Sequence, residues 1–205
     1  MTMAVTDDVT KRKILIGCGI LKKEINWLIK KNNWQLDTAF LDSSLHTDFE
    51  KLNDQLNFQL TKYSDQRSIV FYGCCHPLMD KILLNAHTLR TEGQNCVDIL
   101  LGHDLFYTEL ANGAFFLLEN WALRWEYLSK KTFGDNKEIV RQIFREDRKY
   151  VLALKTPCSN DFTNDAEIMA EYVGLPLRWM EVELDNLKSV LNSSLKQESS
   201  KLNER

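Results

Sequence analysis

Short apolar runs of strand character alternate with amphipathic stretches along most of the chain, and this alternation restricts the fold more than any other feature. The runs are Lys13–Gly17, Trp34–Leu41, Ser68–Tyr72, Tyr150–Leu154 and Leu177–Val182. Between them, Ile20, Leu21, Ile25, Leu28 and Ile29 fall at helical spacing, as do Phe49, Leu52, Leu56 and Leu60, and later Ile139, Val140, Ile143 and Phe144. Apolar residues recurring three and four apart predict helices with one buried face. Strands that alternate with helices imply βαβ units and a parallel sheet covered on both faces. The expected class is therefore α/β. We expect a single domain over residues 12–195 with a mostly parallel, Rossmann-like sheet. A loose arm at 1–11 and a polar C-terminal tail at 196–205 would flank it.

Several local signals refine this outline. Thr47, with Glu50 three residues on, has the form of a capping box and predicts a helix start. Pro77 suits the first turn of a helix that would run to about Leu89 and include His87. Cys96–Leu101 fits either a buried strand or the beginning of a helix. Phe115–Leu128 is aromatic and apolar, and predicts a packed helix with Trp121 and Trp125 in the core. Asp185–Leu195 predicts the last helix.

Composition narrows the partners. A chain of 205 residues with 44% hydrophobic residues can bury a real core. Its net charge of -3 gives none of the basic field that duplex-binding proteins carry, so no nucleic-acid partner is expected. No apolar run approaches the roughly 20 residues that cross a bilayer. The first ten residues lack the positive-then-apolar pattern of a secretory signal. A cytoplasmic protein without membrane contact is expected. Five cysteines make an odd number for a disulfide framework. In a reducing compartment such thiols are core residues, metal ligands or nucleophiles.

Their placement singles them out. Parallel sheets with right-handed crossovers gather the carboxyl ends of their strands on one rim, where ligands of open α/β folds bind. Cys18, His46, Cys74, Cys75, His76 and Cys158 all follow predicted strands, and Cys96 joins them if it opens a helix. Gly17-Cys18-Gly19 resembles a dinucleotide-binding turn, but Lys22 stands where the last glycine of G-x-G-x-x-G belongs, which argues against a nucleotide or adenosylmethionine site there. Thiolates and imidazoles suit zinc, and thiolates suit iron–sulfur clusters. The compact C-x-x-C spacing of zinc ribbons is missing, so any metal site must be assembled from separate loops. Alternatively, Cys18 or Cys75 is a nucleophile with His46 or His76 as base. The plainest alternative is that the thiols are small buried apolar side chains. His87 and His103 carry less weight.

Five features in fixed order then suggest a family. They are Ile16-Gly-Cys-Gly-Ile-Leu21 with Glu24, Leu45-His46, Tyr72-Gly-Cys-Cys-His76, Asn95-Cys96 with Ile99-Leu-Leu-Gly102 and Tyr107, and Gly113-Ala-Phe-Phe-Leu117 with Trp121. Together, from about residue 12 to about residue 190, they resemble the family catalogued as domain of unknown function 1638. The resemblance implies three recurring cysteines, which map onto Cys18, Cys75 and Cys96, and a histidine at His46. Cys74 and Cys158 fall outside that pattern. His76 replaces a frequent glycine and Asn95 a frequent aspartate. Genes of this family often stand beside corrinoid-dependent methyl-transfer systems, including those handling methylamines.

The function expected from the sequence is a Cys-rich site for zinc or an iron–sulfur cluster at the carboxyl ends of the strands. Its ligands would come from Cys18, Cys75, Cys96, His46 and His76. The protein would serve corrinoid-linked methyl transfer or one-carbon metabolism, as an enzyme or as an accessory protein, with any corrinoid held by a partner. Two alternatives remain open: a metal-free binding or accessory protein for a methyltransferase partner, and a cysteine-nucleophile enzyme acting on a small molecule.

Overall fold

The structure is a computed structural model that describes residues 13–200, with side chains through residue 197. The arm expected at 1–11 lies outside the described residues. The first strand, β1 (Lys13–Cys18), passes through a 3-10 turn into α1 (Lys22–Lys31) and then β2 (Leu36–Leu41). A second 3-10 turn, Ser43–Thr47, leads to α2 (Phe49–Lys62) and β3 (Arg67–Phe71). Three helices follow, α3 (Met79–Asn85), α4 (Cys96–Leu101) and α5 (His103–Ala111). The second half runs β4 (Ala114–Leu118), α6 (Glu119–Ala122), α7 (Trp125–Phe133), α8 (Lys137–Asp147), β5 (Tyr150–Lys155), α9 (Thr163–Val173), β6 (Leu177–Glu181) and α10 (Asp185–Ser200). The chain is thus an α/β domain.

All strand pairing is parallel, as the alternation predicts, but it is divided between two three-stranded sheets, ordered β2-β1-β3 and β4-β5-β6. Each is one βαβαβ half. The first half buries Ile14, Leu15 and Ile16 of its central strand, and the second buries Val151, Leu152, Ala153 and Leu154 of its own. Such near-continuous apolar runs mark strands covered on both faces. One hydrophobic core joins both sheets, because Ala114, Leu118, Tyr150, Leu152 and Leu154 pack in the same cluster as β1, α2, α4 and α10. A second cluster lies under α8 and α9, around Leu117, Val140, Phe144, Val151 and Met169.

Several local expectations need correction. Phe115–Leu128 is not one helix: Ala114–Leu118 is β4, and only from Glu119 does the chain turn helical. A short apolar run such as Phe115–Leu118 fits a buried parallel strand as well as a helix, and here sheet pairing decides. Trp125 does lie in the second core, whereas Trp121 is only partly buried at the rim. Asp48, not Thr47, caps α2, accepting from Lys51 N at 3.2 Å, while Thr47 Oγ1 donates to Ser44 O at 2.9 Å. Phe49, Ile139 and Ile143 are exposed rather than inward. The helix after Pro77 ends at Asn85, and His87 adopts φ 53° beyond it. Cys96 opens a helix, and α10 continues through Ser200 into the stretch read as a tail.

Candidate functional site

The carboxyl ends of the strands form the rim that the topology demands. There β1 ends at Cys18, and β2 runs into Asp42 and the Ser43–Thr47 turn. Beyond β3 come Tyr72, Gly73, Cys74 and Cys75. Gly17 and Gly73 set how closely these loops approach. A Cβ on Gly17 would fall 2.6 Å from Phe71 Cβ and 2.8 Å from Phe71 O. One on Gly73 would fall on the Gln94 carbonyl and 2.6 Å from Asn95 N. Gly17 thus lets β1 and β3 lie flush, which brings Cys18 beside Tyr72. Gly73 seats the β3 exit on the loop before α4, where Cys74 N donates to Gln94 O at 2.7 Å. Asn95 Oδ1 then caps α4, accepting from Val97 N at 2.9 Å and Asp98 N at 3.0 Å, and this fixes Cys96. The Gly-Cys-Gly turn serves close backbone packing.

The three thiols of the resemblance converge. Cys18 and Cys96 are buried and close enough that each shifts the other's proton affinity, and Cys75, half-buried, lies within reach of the charge of Cys18. All are reduced. Cys96 holds Cys18 below its ordinary value, against the opposing effect of burial. The same interaction, with burial, pushes Cys96 well up. Burial, then the neighbouring Cys18, pushes Cys75 up to about 11. Tyr72, 2% exposed, lies within the field of Cys18, Cys96 and Cys75, and burial together with those charges pushes its phenol well up. Its buried hydroxyl has no hydrogen-bond partner.

The other expected ligands make contacts of their own. His46 Nδ1 donates to Ser43 O at 2.6 Å, and its ring stacks on Trp121 at 4.9 Å. His76 Nδ1 accepts from Leu78 N at 3.0 Å, and its ring meets Phe49 edge-on at 5.6 Å. Cys74 is exposed, so Cys75 is the member of the pair that faces the other thiols. His103 tilts against Tyr107 at the start of α5. Among the described residues, no three His, Cys, Asp or Glu side chains are already arranged to hold a metal ion. Binding one would require the three thiols to draw together.

A second part of the rim, unexpected from the sequence, joins the two sheets. Glu24, 5% exposed, accepts from Thr156 Oγ1 at 2.7 Å, and burial pushes its carboxyl up. Glu119, also buried, accepts from Lys23 Nζ at 2.6 and 2.8 Å and from Asn160 N at 3.3 Å. Lys23, Glu24 and Glu119, with Gly19, Asn120 and Ser159, line a cavity of about 160 Å³. Close by, Ser43 Oγ donates to Asn120 Oδ1 at 2.6 Å, and Arg124 reaches Asp42 at 3.1 Å. Against burial, the Ser44 N–H and then Arg124 hold the Asp42 carboxyl below its usual range. One signal for this part was present in the sequence: Glu24 interrupts the apolar stripe of α1 between Leu21 and Leu28. Tyr72 is marked in the sequence only by its place at the end of an apolar run and at the head of Tyr72-Gly-Cys-Cys-His76.

No helix among the described residues is long and apolar enough to cross a membrane. No curated protein and no solved structure matches the chain. The sequence model of a family described as "Protein of unknown function (DUF1638)" matches residues 40–191. That span contains Cys75, Cys96 and Tyr72, while Cys18, before it, is brought to them by the β1–β3 pairing. With three quarters of its length matched, the chain belongs to the DUF1638 family.

Proposed function

We propose that Cys18, Cys75 and Cys96 together hold a thiophilic metal ion of the zinc class. The observation that supports this reading is that three free thiols from three separate loops lie near enough to shift one another's proton affinity. Buried small cysteines need no such meeting. A four-iron cluster would hold its cysteine sulfurs roughly 6–7 Å apart. Ligands of one zinc stand about 4 Å from one another. A thiolate-held ion is a Lewis acid that activates a bound nucleophile. That chemistry suits the role expected from the family resemblance, service to corrinoid-linked methyl transfer through a partner protein, as an enzyme or as an accessory protein.

The test is elemental analysis of the full chain purified without oxygen, followed by titration of the metal-free protein with Co²⁺. We expect about one ion per chain and a thiolate-to-cobalt absorption band, both lost in Cys75→Ser. Failure of the wild-type chain to bind any thiophilic ion, with Cys75→Ser indistinguishable from it, would support the metal-free binding module instead.

A further inference from the structure

We infer that the cavity where the two halves of the rim meet binds a small organic cation, a protonated amine or guanidine, with the Glu24 carboxylate as its partner. The inference uses none of the three thiols and stands apart from the metal reading.

The cavity lies where the topology places ligands. Its walls include Gly19 after β1, Leu118 and Glu119 at the end of β4, and Ser159 after β5. It therefore sits at the carboxyl ends of strands from both sheets, where open α/β folds bind small molecules. Its volume of about 160 Å³ matches roughly five waters of the liquid, and so a molecule of about five non-hydrogen atoms.

Hydrogen bonding decides what it accepts. Glu119 is already satisfied, since both its oxygens accept from Lys23 Nζ, at 2.6 and 2.8 Å, and Asn160 N adds a bond at 3.3 Å. Lys22, the other lysine on the wall, is exposed, and water screens its charge. Glu24 is left without a cation of its own. Its Oε1 accepts from Thr156 Oγ1 at 2.7 Å, and no other side chain among the described residues donates to the carboxyl. Thr156 is held in place for that bond, because Cys158 N donates to its Oγ1 at 3.2 Å and Ser159 Oγ stands 3.2 Å away. A hydroxyl has one proton, and here it goes to Glu24, which is thereby set as an acceptor. A carboxyl 5% exposed, with one oxygen lacking a side-chain partner, is matched by a donor, and a charged donor offsets the burial of its charge. Burial pushes this carboxyl up, a common mark of a functional group in a cleft. Ile20, Leu118 and Leu123 on the same wall suit a cation with a short hydrocarbon part rather than a bare ion.

The experiment titrates the full ¹⁵N-labelled chain at pH 8 with butylammonium, methylguanidinium, 1-butanol and propionate, probes of similar size and different charge. At least one cation should saturate, with amide shifts concentrated at Gly19, Glu24 and Ser159, while the alcohol and the carboxylate leave those amides in place. The tighter of the two cations assigns the ligand as an ammonium or a guanidinium. Glu24→Gln retains an acceptor for Thr156, so it should keep the folded spectrum and need at least about tenfold more cation. Asp80→Asn, in a different cleft, should titrate as wild type. The inference is overturned if neither cation gives saturable shifts at these amides, or if butanol or propionate gives the same ones. A Glu24→Gln titration that superimposes on wild type overturns it too, as does loss of cation binding in Asp80→Asn.

Discussion

Glu24 occupies a position on α1 that the helical spacing assigns to the core, and its carboxyl is held there by Thr156. Burial raises its pKa above the ordinary carboxylate value, with Glu119 adding to the shift. The sign follows from linkage. A carboxyl more easily protonated in the folded state binds more protons folded than unfolded, so its ionisation costs stability as pH rises through the window between the two pKa values. Below the unfolded value the cost is absent. Glu24→Gln keeps an acceptor for Thr156 and removes the charge. We expect it to raise Tm at pH 8, by about 2–4 °C for each kcal/mol recovered, and to leave Tm nearly unchanged at pH 4. Thermal denaturation at the two pH values checks this. An equal shift at both would mean that the charge of Glu24 is not what the substitution relieves.

At the scale of elements, two glycines and a cap turn the alternation of strands and helices into a site. Gly73 is the sharper case, because its missing Cβ leaves room for the backbone of Gln94 and Asn95. Gly73→Ala must part the β3 exit from the start of α4, a backbone displacement of the kind that costs about 1–3 kcal/mol. It should also separate Cys75 from Cys96. We expect a lowered denaturation midpoint and weaker Co²⁺ binding, whereas Gly134→Ala, with open space around its Cβ, should leave Co²⁺ binding intact. Equal Co²⁺ affinity in wild type and Gly73→Ala would show that the seat does not set the thiol cluster. These contacts mark the limit of what the sequence discloses. The strands β1, β2, β3, β5 and β6 were legible because each apolar run is bounded by polar or turn residues, and Cys18 and Cys75 were legible because they follow such runs. β4 was not, since Phe115–Leu118 runs without a turn signal into further aromatic residues and periodicity cannot separate a short buried strand from a helix. The contacts that engage His46 and His76 were not legible either, because they depend on where Trp121 and Phe49 place their rings.

At the scale of the whole molecule, two three-stranded sheets behave as one body because their rims and cores interlock. The shared cluster draws apolar residues from β1, β3, β4, β5 and α10. Over it lie the Lys23–Glu119 pair, the Glu24–Thr156 bond, the Ser43–Asn120 bond and the His46–Trp121 stack, each linking one half of the chain to the other. In the Lys23–Glu119 pair burial is one-sided: the lysine side chain is 48% exposed and the glutamate 8%. Exposure on the lysine side screens the attraction, so the intact pair adds little. Removing the lysine alone, however, leaves a buried carboxylate with only the Asn160 amide to satisfy it. Lys23→Ala should therefore cost about 1–3 kcal/mol, and Glu119→Gln distinctly less. The double variant should recover most of the loss, because neutralising the glutamate removes what the missing lysine left uncompensated. Urea denaturation followed by both fluorescence and far-ultraviolet circular dichroism checks this. If the sheets share a core as described, every variant unfolds in one transition with coincident probes. A double variant as unstable as the sum of the singles would show that Lys23 acts through something other than Glu119. Two separated transitions would show that the halves fold independently and that the junction only holds them in register.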